Sequence, residues 1–149
     1  VAASVSGWPM RTILLTDAAE KPDAFAGATA AIAASGTVTL ELALSGTPFT
    51  VGYVVNGLTA WIVARFVRVR FATIVNLVMD RAIVTELIQE ACTADRLVQA
   101  TGPLLALGSP ARAVTIADLR DAVGRLGLDG PPPSERAARV VLELIATPP

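Results

Sequence analysis

The sequence predicts an α/β domain built on a mostly parallel sheet, and three observations carry that expectation. Short apolar runs of strand length occur at residues 12–16, 30–34 and 49–55, bounded by polar residues, Gly or Pro. Stretches with helical spacing or small helix-forming residues stand between and after them, and strands alternating with helices give a parallel sheet. The chain has 149 residues, 53% apolar and only 17% charged, so it has both the length and the greasiness to bury a core.

Residues 12–16 (Thr-Ile-Leu-Leu-Thr) read as a strand covered on both faces. Residues 17–23 are a polar connection and 24–28 a short helical turn. Residues 30–34 form the next strand, ending in small residues. A turn at Ser35 leads into a helix reaching about Leu44, with Gly46 and Pro48 as stop signals. Residues 49–55 are β-branched and aromatic, as a strand requires. Asn56-Gly57 marks a turn, 58–66 a helix, and 67–71 (Val-Arg-Val-Arg-Phe) an extended segment with one wet side. From Thr85 the period becomes helical: Leu87, Ile88, Ala91, Leu97, Val98, Leu104 and Leu105 read as two helices, and residues 116–126 as another. Residues 127–130 and the three prolines at 131–133 read as a rigid linker, with Ser134 capping a last helix. The expected organisation is therefore one domain over residues 1–130, followed by linker and helix at 131–149. The linker lets that helix pack on another domain or on another subunit, which leaves a homo-oligomer open.

Composition excludes several function classes. The net charge of −1 gives no basic excess for nucleic acid. Cys92 is the single cysteine and histidine is absent, which removes an internal disulfide framework and any His-containing zinc site. Acid–base chemistry would fall to Asp or Glu. The chain opens on Val1 with no basic leader, so it is expected to be part of a longer protein or a processed chain. Residues 42–64 carry no charge and are long enough to cross a bilayer. Gly46, Pro48, Gly52, Asn56 and Gly57 interrupt them, however, and irregular backbone exposed to lipid leaves unpaired polar groups. They are read as buried α/β core.

Residues 33–48 hold the strongest chemical signal. A strand, a Gly turn and a helix N-terminus in sequence make an anion site, because the first helical N–H groups lack internal partners. Ser35 fits as N-cap, Gly36 lets a ligand approach the backbone, and Glu41 lies on the face of Thr37, roughly 6 Å further along. A carboxylate there is beyond a diphosphate but within reach of sugar hydroxyls, which suits a nucleotide. The alternative is an ordinary strand-to-helix turn whose acid only offsets the helix dipole.

These motifs carry a resemblance. Residues 34–41 (Ala-Ser-Gly-Thr-Val-Thr-Leu-Glu), 46–48, 51–53 and 58–60 resemble the C-terminal half of lipid-A-disaccharide synthase, as do Ala64-Arg65, residues 67–69, Asn76-Leu77, Arg81 and residues 86–89 (Glu-Leu-Ile-Gln). The likeness runs from about residue 23 to 105, with the family's order and spacing. It implies a Rossmann-like parallel sheet with flanking helices, the C-terminal (donor-nucleotide) domain of a two-domain GT-B type glycosyltransferase, here without its N-terminal half. It implies transfer of diacylglucosamine from UDP-diacylglucosamine to diacylglucosamine 1-phosphate, forming the lipid A disaccharide with no metal or organic cofactor. The expected place is the cytoplasmic side, peripheral at the anionic inner-membrane surface of a Gram-negative bacterium. Carried over by position, Ser35, Gly36 and Thr37 would meet the diphosphate and Glu41 the ribose. Asn76 and Arg81 would serve the nucleotide, Arg81 by neutralising a leaving UDP. Tyr53, Glu86 and Gln89 would line the cleft, the last two from one helix face at i, i+3. The catalytic residues are expected in the absent half, so the chain alone should bind UDP weakly without turnover. Val54, Val75, Met79 and Asp80 depart from the family's pattern.

Other readings of these residues stay open: Asn76 as a turn former, and Arg81 in an ion pair with Asp80. Trp61, Arg65 and Arg68 fall in one sector if the expected helix continues through Arg68, and then suit an anionic lipid surface, or else Trp61 is core and the arginines are solvated. A different class of function, a non-catalytic nucleotide-binding subunit serving a separate membrane-bound chain, is also open, as is a plain α/β domain that binds nothing.

Overall fold

Three short strands lie side by side and parallel in the order β1 (Ala31–Ala33), β2 (Phe49–Tyr53), β3 (Glu86–Ile88). The register places Ala33 beside Val51 and Val51 beside Glu86, with Tyr53 beside Ile88 at the carboxyl end. The computed structural model describes residues 2–54, 70–127 and 131–146. The expected turn at 56–57, the helix at 58–66 and most of the segment 67–71 lie outside them, and so do Trp61, Arg65 and Arg68. The helices described are α1 (Ala2–Val5), α2 (Lys21–Gly27), α3 (Thr37–Leu44), α4 (Ile74–Met79), α5 (Ala94–Leu105), α6 (Pro110–Arg125) and α7 (Pro133–Ala146). No helix among the described residues is long and apolar enough to cross a membrane.

Both faces of the sheet are covered, as a parallel sheet needs. On one face Ala33, Phe49 and Val51 meet Leu42 and Ala43 of α3, Val75 and Met79 of α4, Leu119 and Ala122 of α6, and Ile83 and Val84. Phe49, Leu42, Leu119, Val51 and Val75 are fully buried. Each such side chain contributes about 1.5–3 kcal/mol, so this layer is the main source of stability. On the other face α5 packs over β1 and β2. A Cβ at Gly52 would stand 3.1 Å from both Cys92 Sγ and Leu97 Cδ2, so the absence of a side chain there sets how closely α5 approaches.

The end of α3 follows from its sequence. Gly46 takes φ +69°, Thr47 N–H donates to the Leu42 carbonyl and Gly46 N–H to that of Ala43. These are the paired bonds that close a helix on a left-handed glycine. The charge-free stretch expected to be core is, as far as residue 54, this helix end, a turn and β2.

Three expectations are corrected. Residues 12–16 form no strand: Ile13 is 69% exposed, and Leu14 and Leu15 are exposed beside it. An apolar run becomes a strand only by pairing, and residues 12–16 pair with none of the three strands of the sheet. Residues 86–88 are not helix but β3, where Val51 N–H donates to the Thr85 carbonyl. So short an apolar run has no decisive period, and the free edge of β2 recruits it. Gln89, at φ +53°, ends that strand, and α5 begins only after Thr93, whose hydroxyl accepts from Arg96 N–H. Ser134 is not the cap of the last helix: α7 starts at Pro133, and the Pro132 carbonyl accepts from Glu135 and Arg136. Proline fits the first helical position because its missing N–H costs nothing there.

Candidate functional site

In open parallel α/β sheets ligands bind beyond the carboxyl ends of the strands. Here the turn Ser35-Gly36-Thr37 follows β1, Tyr53 closes β2, and Gln89 follows β3, so the topology brings these residues to one edge. Tyr53 is partly exposed there. Gly36 is the N-cap of α3 at φ +148°, ψ −167°, a conformation essentially reserved for glycine. Its carbonyl accepts from Thr39 N–H at 3.1 Å and Thr39 Oγ1 at 2.7 Å, while glycine itself offers no capping side chain to the first helical turn.

Ser35 was expected as the cap, and the structure corrects this. The helix starts one residue later, and Ser35 Oγ donates to the Ala72 carbonyl at 3.1 Å. Its hydroxyl is spent on holding the turn to the chain that leads into α4. With the serine hydroxyl engaged, the donors left to this turn are its backbone N–H groups and the exposed Thr37 hydroxyl.

Glu86 and Asn76 lie beside that contact. Glu86 is on β3 rather than on a helix, so it shares no helix face with Gln89. Its Oε2 accepts from Ala72 N–H at 2.8 Å, and its Oε1 from Thr73 N–H, Thr73 Oγ1 and Asn76 Nδ2 at 2.9, 2.6 and 2.8 Å. The carboxylate thus holds, from across the fold, the N–H groups of Ala72 and of Thr73, the N-cap residue of α4, rather than those of the first helical turn. Asn76 is not in a loop. It sits inside α4, fully buried, where Oδ1 accepts from Ile83 and Val84 N–H at 2.8 and 3.0 Å and Nδ2 donates to Glu86 and to the Val84 carbonyl. All four hydrogen bonds open to an amide side chain are made.

Arg81 lies elsewhere. It follows the C-terminal end of α4, whose N-terminal end is the one that meets Ser35, and six helical residues separate the two by about 9 Å. Its guanidinium grips Asp118 of α6 in a two-pronged pair at 2.8 and 2.5 Å. The expected partner Asp80 instead ends α4 in a left-handed conformation and faces Arg70 at 3.7 Å. The hydrogen bond from Arg81 holds the Asp118 carboxyl below its ordinary range, and the same bond raises Arg81. A depressed carboxyl contributes stability that is present above its unfolded value, about 3.9, and is lost as pH falls through its folded value. Asp118→Asn should therefore lower the melting temperature at pH 7, and this gap should close in acid, below about pH 4. Melting of both chains from pH 8 to 2.5 checks it, and a gap that widens in acid would contradict it.

Glu41 points to the flank of α3, where its Oε2 meets Lys21 Nζ at 3.3 Å; both side chains are roughly half exposed. The pair borders a shallow cavity of about 400 Å³ floored by Phe25, Pro22 and Leu44. Lys21 and Thr73 are the participants the sequence did not single out. Thr73, directly before an apolar helix, carried the usual N-terminal signal; Lys21 carried none, because twenty residues separate it from Glu41. Among the described residues no cluster of three His, Cys, Asp or Glu side chains could hold a metal ion.

Comparison with known proteins gives the chain its relatives. A family model described as lipid-A-disaccharide synthetase matches residues 10–121. A lipid-A-disaccharide synthase of Rhodospirillum centenum is 45% identical over 145 residues, covering 97% of this chain and 36% of that protein. The one from Paramagnetospirillum magneticum is 40% identical over 97% of this chain and 37% of its own length. The Granulibacter bethesdensis protein is 50% identical over 97 residues, 65% of this chain and 25% of its own. The chain thus spans little more than a third of the length of the curated relatives it matches along nearly its whole length.

Proposed function

The chain belongs to the lipid-A-disaccharide synthase family, and from that premise we propose that it supplies the UDP-sugar site of a glycosyltransferase of lipid A biosynthesis. In this reading it is the C-terminal, donor-nucleotide domain of a GT-B type enzyme. That enzyme moves diacylglucosamine from UDP-diacylglucosamine to diacylglucosamine 1-phosphate at the inner-membrane surface. The observation that carries the proposal is Gly36, held in a glycine-only conformation at the N-terminus of α3, beyond the carboxyl end of β1.

The chemistry follows from the parts. The diphosphate lies against the N–H groups of the turn and the positive end of α3, which stabilise the charge that grows on UDP as it leaves. Glu41, one turn deeper, accepts from the ribose hydroxyls, and Lys21 beside it holds the carboxylate in place. Tyr53 and Gln89 border the cleft from the other two strand ends. Asn76 acts beneath the surface, tying α4 to residues 83–86. Arg81 neutralises no phosphate while Asp118 holds it. The acceptor site and the acid–base groups belong to the part of the relatives that this chain does not span, so the chain alone binds UDP without turnover.

Thermal melting with UDP tests this. Saturation at about 100 times Kd stabilises a protein by about 2.7 kcal/mol, and Glu41→Ala should remove most of that gain while Arg81→Ala leaves it. A shift that survives Glu41→Ala would place the ribose elsewhere. The absence of any shift in the unmodified chain would remove the nucleotide site from it.

A further inference from the structure

The Ala72–Thr73 peptide is held at both ends. Its carbonyl accepts from Ser35 Oγ at 3.1 Å, and its N–H donates to Glu86 Oε1 at 2.9 Å. The preceding peptide's N–H, on Ala72, donates to the other oxygen of the same carboxylate at 2.8 Å. Hydrogen bonds in series polarise one another, so the carboxylate strengthens the carbonyl's hold on the serine. We propose that Glu86 is a positioning residue for the Ser35-Gly36-Thr37 turn, acting through this single peptide to keep the turn's N–H groups aimed at an anion. The proposal rests on the nucleotide reading of that turn for its consequence, but the mechanical link stands on the ligand-free chain.

Two features make the link specific. Glu86 sits level with Ala33 in the sheet register, two residues before Ser35, so the strands fix how far apart the two ends of the link can stand. Its four bonds all come from donors, which only a carboxylate accepts on both oxygens. In Glu86→Gln the amide NH2 must face either the Ala72 N–H or the group formed by Thr73 and Asn76. Whichever way it turns, donor meets donor on one side, and the charge that polarises the Ala72–Thr73 peptide is lost. Asn76 holds Glu86 from below with a bond that does not reach Ser35, so loss of core support and loss of the link can be told apart.

The test compares Glu86→Gln, Ser35→Ala and the double variant by two readouts: the backbone amide resonances of Gly36 and Thr37 without ligand, and UDP titration. Each single change should displace those resonances and weaken UDP binding by about ten-fold, and the double change should weaken it no further than either alone. If the two losses multiply, or if Glu86→Gln leaves the Gly36 and Thr37 resonances in place, the proposal is overturned. Should Glu86→Gln not fold, Ser35→Ala decides: it removes one exposed hydroxyl and should still displace the Thr73 amide resonance, and an unmoved Thr73 would refute the link. If the unmodified chain shows no binding of UDP, the nucleotide reading fails, while the ligand-free resonances still judge the positioning role.

Discussion

Asn76→Asp should cost the fold about 3–5 kcal/mol at neutral pH, although it changes only one atom type. The Nδ2 group donates at 3.0 Å to the Val84 carbonyl and at 2.8 Å to Glu86 Oε1. Putting an oxygen there leaves that carbonyl unpaired in the core and sets two carboxylates against each other. The introduced carboxyl is stabilised by keeping its proton, so its folded pKa rises above the unfolded value of about 3.9. The folded state then binds more protons than the unfolded one, and stability falls as pH rises. Urea unfolding at pH 5 and pH 8 should show the larger loss at pH 8. Asn76→Ala, which leaves the Ile83 and Val84 N–H groups without their acceptor, should be costly without that pH dependence. A loss below about 1 kcal/mol for Asn76→Asp would mean that the buried network is not what fixes α4 to β3.

Gly36→Ala should have the second large effect, and on binding more than on folding. No atom within 4 Å would meet the new methyl group, so crowding from neighbours is not the obstacle. The obstacle is the backbone itself: at φ +148° and ψ −167° a side chain costs about 1–3 kcal/mol. The turn can escape that strain by rotating, which takes its N–H groups away from an anion. The expected outcome is a modest fall in melting temperature and loss of the stabilisation by UDP. An alanine variant that kept the full UDP shift would show that this turn does not hold the phosphates.

The fold was legible where local patterns are strong. The 31–33 and 49–53 strands and the helix from Thr37 to Leu44 follow from a short small-residue run and a β-branched, aromatic one, punctuated by Gly36 and Gly46, whose backbone angles few other residues adopt. The apolar run at 12–16 and the strand at 86–88 were misread for one reason. Both are short, and what makes a strand is the edge it pairs with, which lies far away in sequence.

The candidate site divides the same way. Residues Ser35, Gly36 and Thr37 could be singled out because adjacent residues build a strand-to-helix turn. By itself the sequence determined that turn, the ending of α3, the absence of histidine chemistry and the resemblance that names the family. Tertiary structure alone decided that Ser35 bonds Ala72 rather than its own helix, that Glu86 holds the chain entering α4 from a neighbouring strand, and that Arg81 answers to Asp118. Each of those contacts joins groups 10 to 37 residues apart. A polar side chain announces that it needs a partner, but only the packing of the sheet and its helices determines which partner comes within hydrogen-bond reach.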